Sequence, residues 1–247
     1  MSSYSIVFSN GATTEIKANF GEAPVIDGVI DDSTREWKDA SKIQTNLTDL
    51  PVKLWVMQTN KDLFVSVQFD LLQGYHSSNE FLGLIISVNS SENQEDFYDA
   101  KFVQFLNISE NIFSYLDYFV NNSVFINDTA YSGRGAGKVE GDSSVYEFSI
   151  PINQNITEGN EGDVFLEYGK DYAFNISYGE DPVYPQGIKK SDIFLISINS
   201  PKIHEIIPLD VVLNSLTVLV FSIIGIFCVY YVYKIFKLKS KIQRLRG

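Results

Sequence analysis

The chain has 247 residues, 45% of them hydrophobic, and a formal net charge of −12. Its 18 Phe and 14 Tyr require a packed core and exclude a disordered chain, which is poor in aromatics. One Cys excludes an intrachain disulfide framework and a Cys-based zinc cluster, and two His leave little for a transition-metal or Ser/Cys–His active site.

Met1 to Phe20 holds neither a basic stretch nor a continuous apolar run, so it does not read as a signal peptide. Either a signal was removed or lies upstream, or the protein is tail-anchored with its domain in the cytosol. Tyr4–Phe8 and Thr14–Ala18 flank Asn10-Gly11, a type I′ hairpin signal. Ser33–Ala40 reads as a short helix with Asp31 or Asp32 as N-cap. Val52–Met57 and Leu63–Phe69 read as paired strands. In the second, Leu63, Val65, Val67 and Phe69 share one face and Phe64, Ser66 and Gln68 the other. Leu82–Val88 is a near-continuous apolar run, as expected of a central strand. Lys101–Asn107, Tyr115–Phe119, Val124–Asn127, Val145–Ile150, Asp171–Tyr178 and Ile193–Ile198 complete the predicted strands. Gly133-Arg134-Gly135-Ala136-Gly137-Lys138 lacks the spacing and the final Ser/Thr of a phosphate loop, and reads as a hairpin tip. Many short strands and no internal repeat predict one antiparallel β-sandwich, immunoglobulin-like or jelly-roll in type, over residues 1–200.

Residues 211–233 carry no formal charge. About 20 apolar residues suffice to cross the hydrocarbon core, so this run predicts a transmembrane helix. Residues 201–210 then form a stalk and 234–247 a basic tail. That tail holds Lys234, Lys237, Lys239, Lys241, Arg244 and Arg246, whereas residues 1–210 hold 13 Lys/Arg against 31 Asp/Glu. The positive-inside rule puts the tail in the cytoplasm and the large domain outside, in a single-pass cell-membrane protein. The tail is also suited to membrane lipid headgroups, and the acidic domain excludes nucleic acid as a partner.

Asn-x-Ser/Thr acceptors occur at Asn46, Asn89, Asn107, Asn121, Asn127, Asn155 and Asn175, and none lies in the tail. They predict a glycoprotein with its large domain extracellular. An outward-facing domain without disulfides points to an archaeal source.

Four segments resemble a known family. Pro24 to Asp32 followed by Glu36-Trp37-Lys38-Asp39-Ala40 is similar to the "IDG–x–D–x–EW–x–x–A" opening of family-9 carbohydrate-binding modules, which are related to DOMON domains. Val52–Val56 with Asp62–Asp70 resembles the family's "lYvaf–x–x–D" hairpin. Val145–Pro151 resembles its "yt–x–E–x–aIP" strand, and Tyr168–Asn175 its "G–x–x–x–x–fN" strand. The four pieces occur in the family's order and cover about residues 20–200. Within the opening, Gly28 suits a tight turn and Trp37 a core plug at the sandwich end.

The resemblance implies a non-catalytic recognition or interaction module. One role is an accessory subunit of a membrane or cell-surface assembly, with other protein subunits as partners. A second is a free-standing carbohydrate-binding surface protein, which needs exposed aromatic platforms. Only Trp37 and Trp55 are present as Trp, with Tyr75, Tyr115, Tyr118, Tyr131, Tyr178 and Tyr184 as further candidates. A third is a b-haem electron-transfer domain, for which Met57 and His76 are the available ligands. Glu92, Glu95, Asp96 and Asp99 form an acidic loop that offers oxygen ligands to calcium. No nucleophile elbow or His-rich catalytic motif is present, so an enzyme is not expected.

Overall fold

A computed structural model describes residues 14–31, 33–88, 98–121, 124–128, 131–153, 163–180, 189–201 and 209–244. The chain divides into two units, Met1–Pro201 and Lys202–Gly247. The described part of the first is mostly strand: β1 (Thr14–Phe20), β2 (Ser41–Leu47), β3 (Leu50–Gln58), β4 (Asp62–Asp70), β5 (Phe81–Val88), β6 (Tyr98–Asn107), β7 (Ile112–Asn121), β8 (Val124–Asn127), β9 (Arg134–Glu140), β10 (Ser143–Pro151), β11 (Asp171–Gly179), β12 (Lys189–Lys190) and β13 (Phe194–Ile198).

The hydrogen-bonded order is β8-β7-β6-β5-β11-β13-β1-β3-β4-β10-β9, with β2 added to β3 and β12 to β11. All these pairings are antiparallel except those of β1, which runs parallel to both β13 and β3. β1 therefore joins the two layers of a β-sandwich, so one curled sheet supplies both faces. This is the β fold that the strand density predicted.

Period-2 alternation builds the core. Leu63, Val65, Val67 and Phe69 of β4 face it together with Val52, Leu54 and Val56 of β3, Leu82, Leu84 and Ile86 of β5, and Phe174 and Ile176 of β11. The other faces of β3 and β4 are apolar at one end, where Trp55, Met57 and Phe64 pack with Trp37.

Two sequence expectations are corrected. Ser33–Ala40 is a run of turns and not a helix. Arg35 stands at φ 56°, in the left-handed region, which breaks helical continuity. The segment is held instead by isolated bonds, Lys38 N–H to Arg35 O at 3.1 Å and Ala40 N–H to Trp37 O at 3.2 Å. Asp31 does cap it, accepting from Ser33 N–H at 2.7 Å. The glycine-rich stretch is not a hairpin tip but strand β9, paired along β10. A Cβ built on Gly135 would lie 2.5 Å from Val103 and 2.8 Å from Tyr115. The glycines there let β9 approach the side chains of the opposite layer. The predicted Tyr4–Phe8 strand lies outside the described residues.

The second unit contributes α1 (Leu209–Arg244), 36 residues long. At 1.5 Å per residue such a helix measures about 54 Å, more than a bilayer core requires. One helix is thus long and apolar enough to cross a membrane, over Val220–Ile242 among the described residues. That stretch begins later than the charge-free run 211–233 and takes in Lys234, Lys237, Lys239 and Lys241. The segment expected as a separate tail continues the helix as far as Arg244.

Candidate functional site

The opening segment, residues 24–40, is tied to the sandwich by one carboxylate. Glu147 of β10 accepts from Asp27 N–H at 3.0 Å, from Gly28 N–H at 2.8 Å and from the Trp37 indole N–H at 3.0 Å. Gly28 stands at φ 80°, and a Cβ there would meet Gly137 C and Lys138 N at 2.7 Å. Only glycine brings this turn so close to β9. Burial pushes the Glu147 carboxyl up to about 7, against the three donors, which pull the other way. Trp37 is 2% exposed, the core plug expected of it.

Fixing Trp37 leaves a cleft of about 360 Å³ beside it. Ile30, Trp37 and Trp55 supply its apolar lining, and Asp31, Arg35, Lys38 and Lys42 its polar lining. Lys42 of β2 lies directly across from Trp55 of β3, and its ammonium sits 5.9 Å from the Trp55 ring centroid. Trp55 is 8% exposed, and its Nε1–H has no acceptor among the described residues. The cleft has the size of small-molecule sites, which run about 300–1,000 Å³, and their mixture of aromatic lining and a few polar groups.

A second polar cluster lies inside the domain. Lys101 of β6 pairs across the ladder with Asp117 of β7. Its ammonium reaches Asp117 Oδ1 at 2.5 Å, Asp163 Oδ1 at 2.7 Å and Asp99 Oδ1 at 2.9 Å, and donates to Ser132 Oγ at 2.7 Å. Burial pushes Lys101 down, but the three carboxylates outweigh it and hold the ammonium above its ordinary range. Burial pushes Asp99 and Asp117 up, with Lys101 opposing. The three carboxylates lie close enough to hold a metal ion. The lysine ammonium already stands among them and neutralises one charge, so the cluster is built as an internal ion network.

The other predicted site residues are dispersed. Asp99 belongs to β6 and not to a loop, and it contacts Lys101 instead of an open calcium site; Glu92, Glu95 and Asp96 lie outside the described residues. Met57 is fully buried among Trp37, Trp55 and Phe64. Both ring nitrogens of His76 are engaged, Nδ1 with Glu80 Oε2 at 2.7 Å and Nε2 with Leu71 O at 3.1 Å. Neither residue is presented as an axial haem ligand. Tyr75 and Tyr131 are exposed, whereas Tyr178 is buried and donates to Glu80; Tyr184 lies outside the described residues.

Of the predicted glycosylation acceptors, Asn46 and Asn127 are exposed on β2 and β8. Asn107 Oδ1 accepts from Ser109 N–H and Oγ–H. Asn175 is half-buried in β11, where its Nδ2 donates to Ser191 O at 2.6 Å. Asn121 ends β7. Asn89 and Asn155 lie outside the described residues.

No family model matches the chain, and no curated protein matches it by sequence. Solved structures are similar to it. A candidate carbohydrate-binding protein from Bacteroides uniformis gives a TM-score of 0.50 at 9% identity, covering 76% of this chain and 100% of that one. A family-9 carbohydrate-binding module from Caldicellulosiruptor kristjanssonii, solved with cellotriose, gives 0.45 at 15% identity over 79% of this chain and 98% of that one. A family-9 module from the same organism, solved with glucose, gives 0.43 at 16% identity, covering 77% and 100%. The large unit thus shares its β-sandwich fold with the Bacteroides uniformis protein, on a chain with a helix able to span a membrane.

Proposed function

We propose that the protein is a membrane-anchored, non-catalytic recognition module whose ligand is a glycan, bound in the cleft beside Trp37 and Trp55. The observation that carries this reading is the cleft itself. Two indoles and four charged or polar side chains converge on about 360 Å³ of space, and the fold is shared with a candidate carbohydrate-binding protein. Sugar sites combine apolar ring contact with directed polar groups.

In this reading α1 is a single-pass anchor, 201–210 a stalk and 234–247 a cytoplasmic basic segment suited to anionic lipid. The acidic domain then faces outward, and the exposed Asn46 and Asn127 are the first acceptors for glycosylation. An accessory-subunit role in a cell-surface assembly is the second reading, and the same preparation separates the two.

The test is a glycan array probed with full-length protein in lipid nanodiscs, beside mass spectrometry of protein purified from its native membrane. Selective, saturable array binding supports the glycan reading. Blank arrays combined with a stoichiometric co-purifying protein would replace it with the subunit reading. Unmodified Asn46 and Asn127 would argue against the outward topology.

A further inference from the structure

Resting on that glycan reading, we infer that the saccharide taken by this cleft is acidic: a uronic-acid sugar whose carboxylate is held by Arg35 and Lys42.

The sign of the cleft is the first ground. Residues 1–210 carry 31 acidic side chains against 13 basic ones, yet the cleft lining has three cations, Arg35, Lys38 and Lys42, against one carboxylate, Asp31. Two of those cations have no carboxylate partner among the described residues, although the Lys42 ammonium stands over the Trp55 ring. Neither Arg35 nor Lys42 makes an ion pair with a described residue, and the carboxylate nearest Lys38, Glu22, is 4.0 Å away and almost fully exposed. The Asp31 carboxylate is turned to its own backbone, accepting from Ser33 N–H and Ser33 Oγ–H. A neutral sugar needs no such charges, because stacking and neutral hydrogen bonds suffice for it.

Shape and donors agree with the charge. A guanidinium presents paired N–H donors in a planar fork that matches a carboxylate, and an ammonium adds a second positive point beside it. Trp37 and Trp55 line the cleft but are 2% and 8% exposed, so the charged side chains supply most of what a bound sugar meets. At physiological ionic strength charges beyond about 8 Å are largely screened, so distant acidic side chains weigh little. Glu36, whose carboxylate accepts from the Val25 and Asp31 amides, is the nearby charge that opposes the cations.

The proposal is tested by titrating the full-length protein in phosphatidylcholine nanodiscs with four probes: a triuronate, its methyl ester, cellotriose and sulfate. The expected result is triuronate binding at least tenfold tighter than its ester. An Arg35→Gln, Lys42→Gln double variant should lose at least tenfold of that affinity at unchanged melting temperature, since both side chains are exposed. Equal affinity for acid and ester, with the variant unaffected, would overturn the acidic-ligand inference and leave the glycan reading standing. Sulfate competing as well as the triuronate would overturn it in favour of a plain anion site. Failure of every saccharide to bind would overturn the glycan reading as well.

Discussion

The Trp37 indole N–H donates to Glu147 Oε1 at 3.0 Å, joining residues 110 positions apart. The same carboxylate takes the Asp27 and Gly28 amides through its other oxygen. Two motifs that look independent in the sequence, the opening around Gly28 and Trp37 and the strand around Glu147, are two halves of one latch. The latch sets where Trp37 stands, and Trp37 forms one wall of the cleft.

Trp37→Phe removes the donor together with part of the buried ring, so the lost hydrogen bond sets a lower bound on the cost. Hydrogen bonds to charged groups contribute about 1.5–3 kcal/mol, so a loss of at least about 2 kcal/mol is expected in urea unfolding of the full-length protein. A double-mutant cycle with Glu147→Leu, which has no acceptor, should return a coupling of similar size. A cycle with no coupling would mean that the indole N–H is satisfied elsewhere.

The latch also has a pH signature. The Glu147 carboxyl is pushed from its ordinary 4.5 up to about 7 in the folded protein. Its stabilising contribution is therefore full below pH 4.5 and is lost as pH rises through 7. One pH unit between the unfolded and folded titration midpoints is worth about 1.4 kcal/mol, so the contribution changes by about 3 kcal/mol across that window. The stability difference between the natural protein and Glu147→Gln, followed by denaturant unfolding from pH 4.5 to 8, should fall with rising pH. A difference that is flat or rises would contradict the assignment.

Removing the cation from the buried network should be severe. Lys101→Met leaves Asp99, Asp117 and Asp163 together without their ammonium, and breaking a buried ion pair costs about 3–5 kcal/mol. Without the ammonium the carboxyls are pushed further up, so the variant should be more stable in mild acid than at pH 8. Circular dichroism melts at the two pH values check this ordering.

Arg35 occupies a backbone conformation that costs a non-glycine residue roughly 1–2 kcal/mol. Arg35→Gly relieves it, and the extra freedom of the unfolded glycine offsets part of the gain. Thermal stability should stay level or rise by about 0.5–1 kcal/mol, while saccharide affinity falls. Joint loss of stability and affinity would show that Arg35 serves the fold and not the ligand.

Much of the architecture was legible because it rests on alternation. Leu63, Val65, Val67 and Phe69 declare one face of β4, and the structure buries all four. Ser33–Ala40 misleads because nothing in its residue types signals the left-handed turn at Arg35. The glycine-rich stretch misleads because the glycines of β9 answer to Val103 and Tyr115 in the opposite layer, a contact far away in sequence. The ion network left a faint signal: Asp99 and Lys101 are two apart, on one face of β6, and Tyr115 and Asp117 repeat that spacing on β7. Asp163 comes from a separate segment, so the set closes only in three dimensions. The cleft was hidden for the same reason. Trp37 was legible as core, but Lys42 reaches the Trp55 ring only because β2, which the sequence pattern did not mark as a strand, pairs with β3.

The cleft carries its own reporter for saccharide binding. The chain contains two Trp, and both line it. The most direct measurement is intrinsic tryptophan fluorescence of the full-length protein in nanodiscs, titrated with acidic and neutral oligosaccharides. An acidic-saccharide site gives a saturable change in emission with the acidic series, abolished when Arg35 and Lys42 are both replaced by Glu. Emission unchanged across the whole panel would contradict a saccharide site beside Trp37 and Trp55.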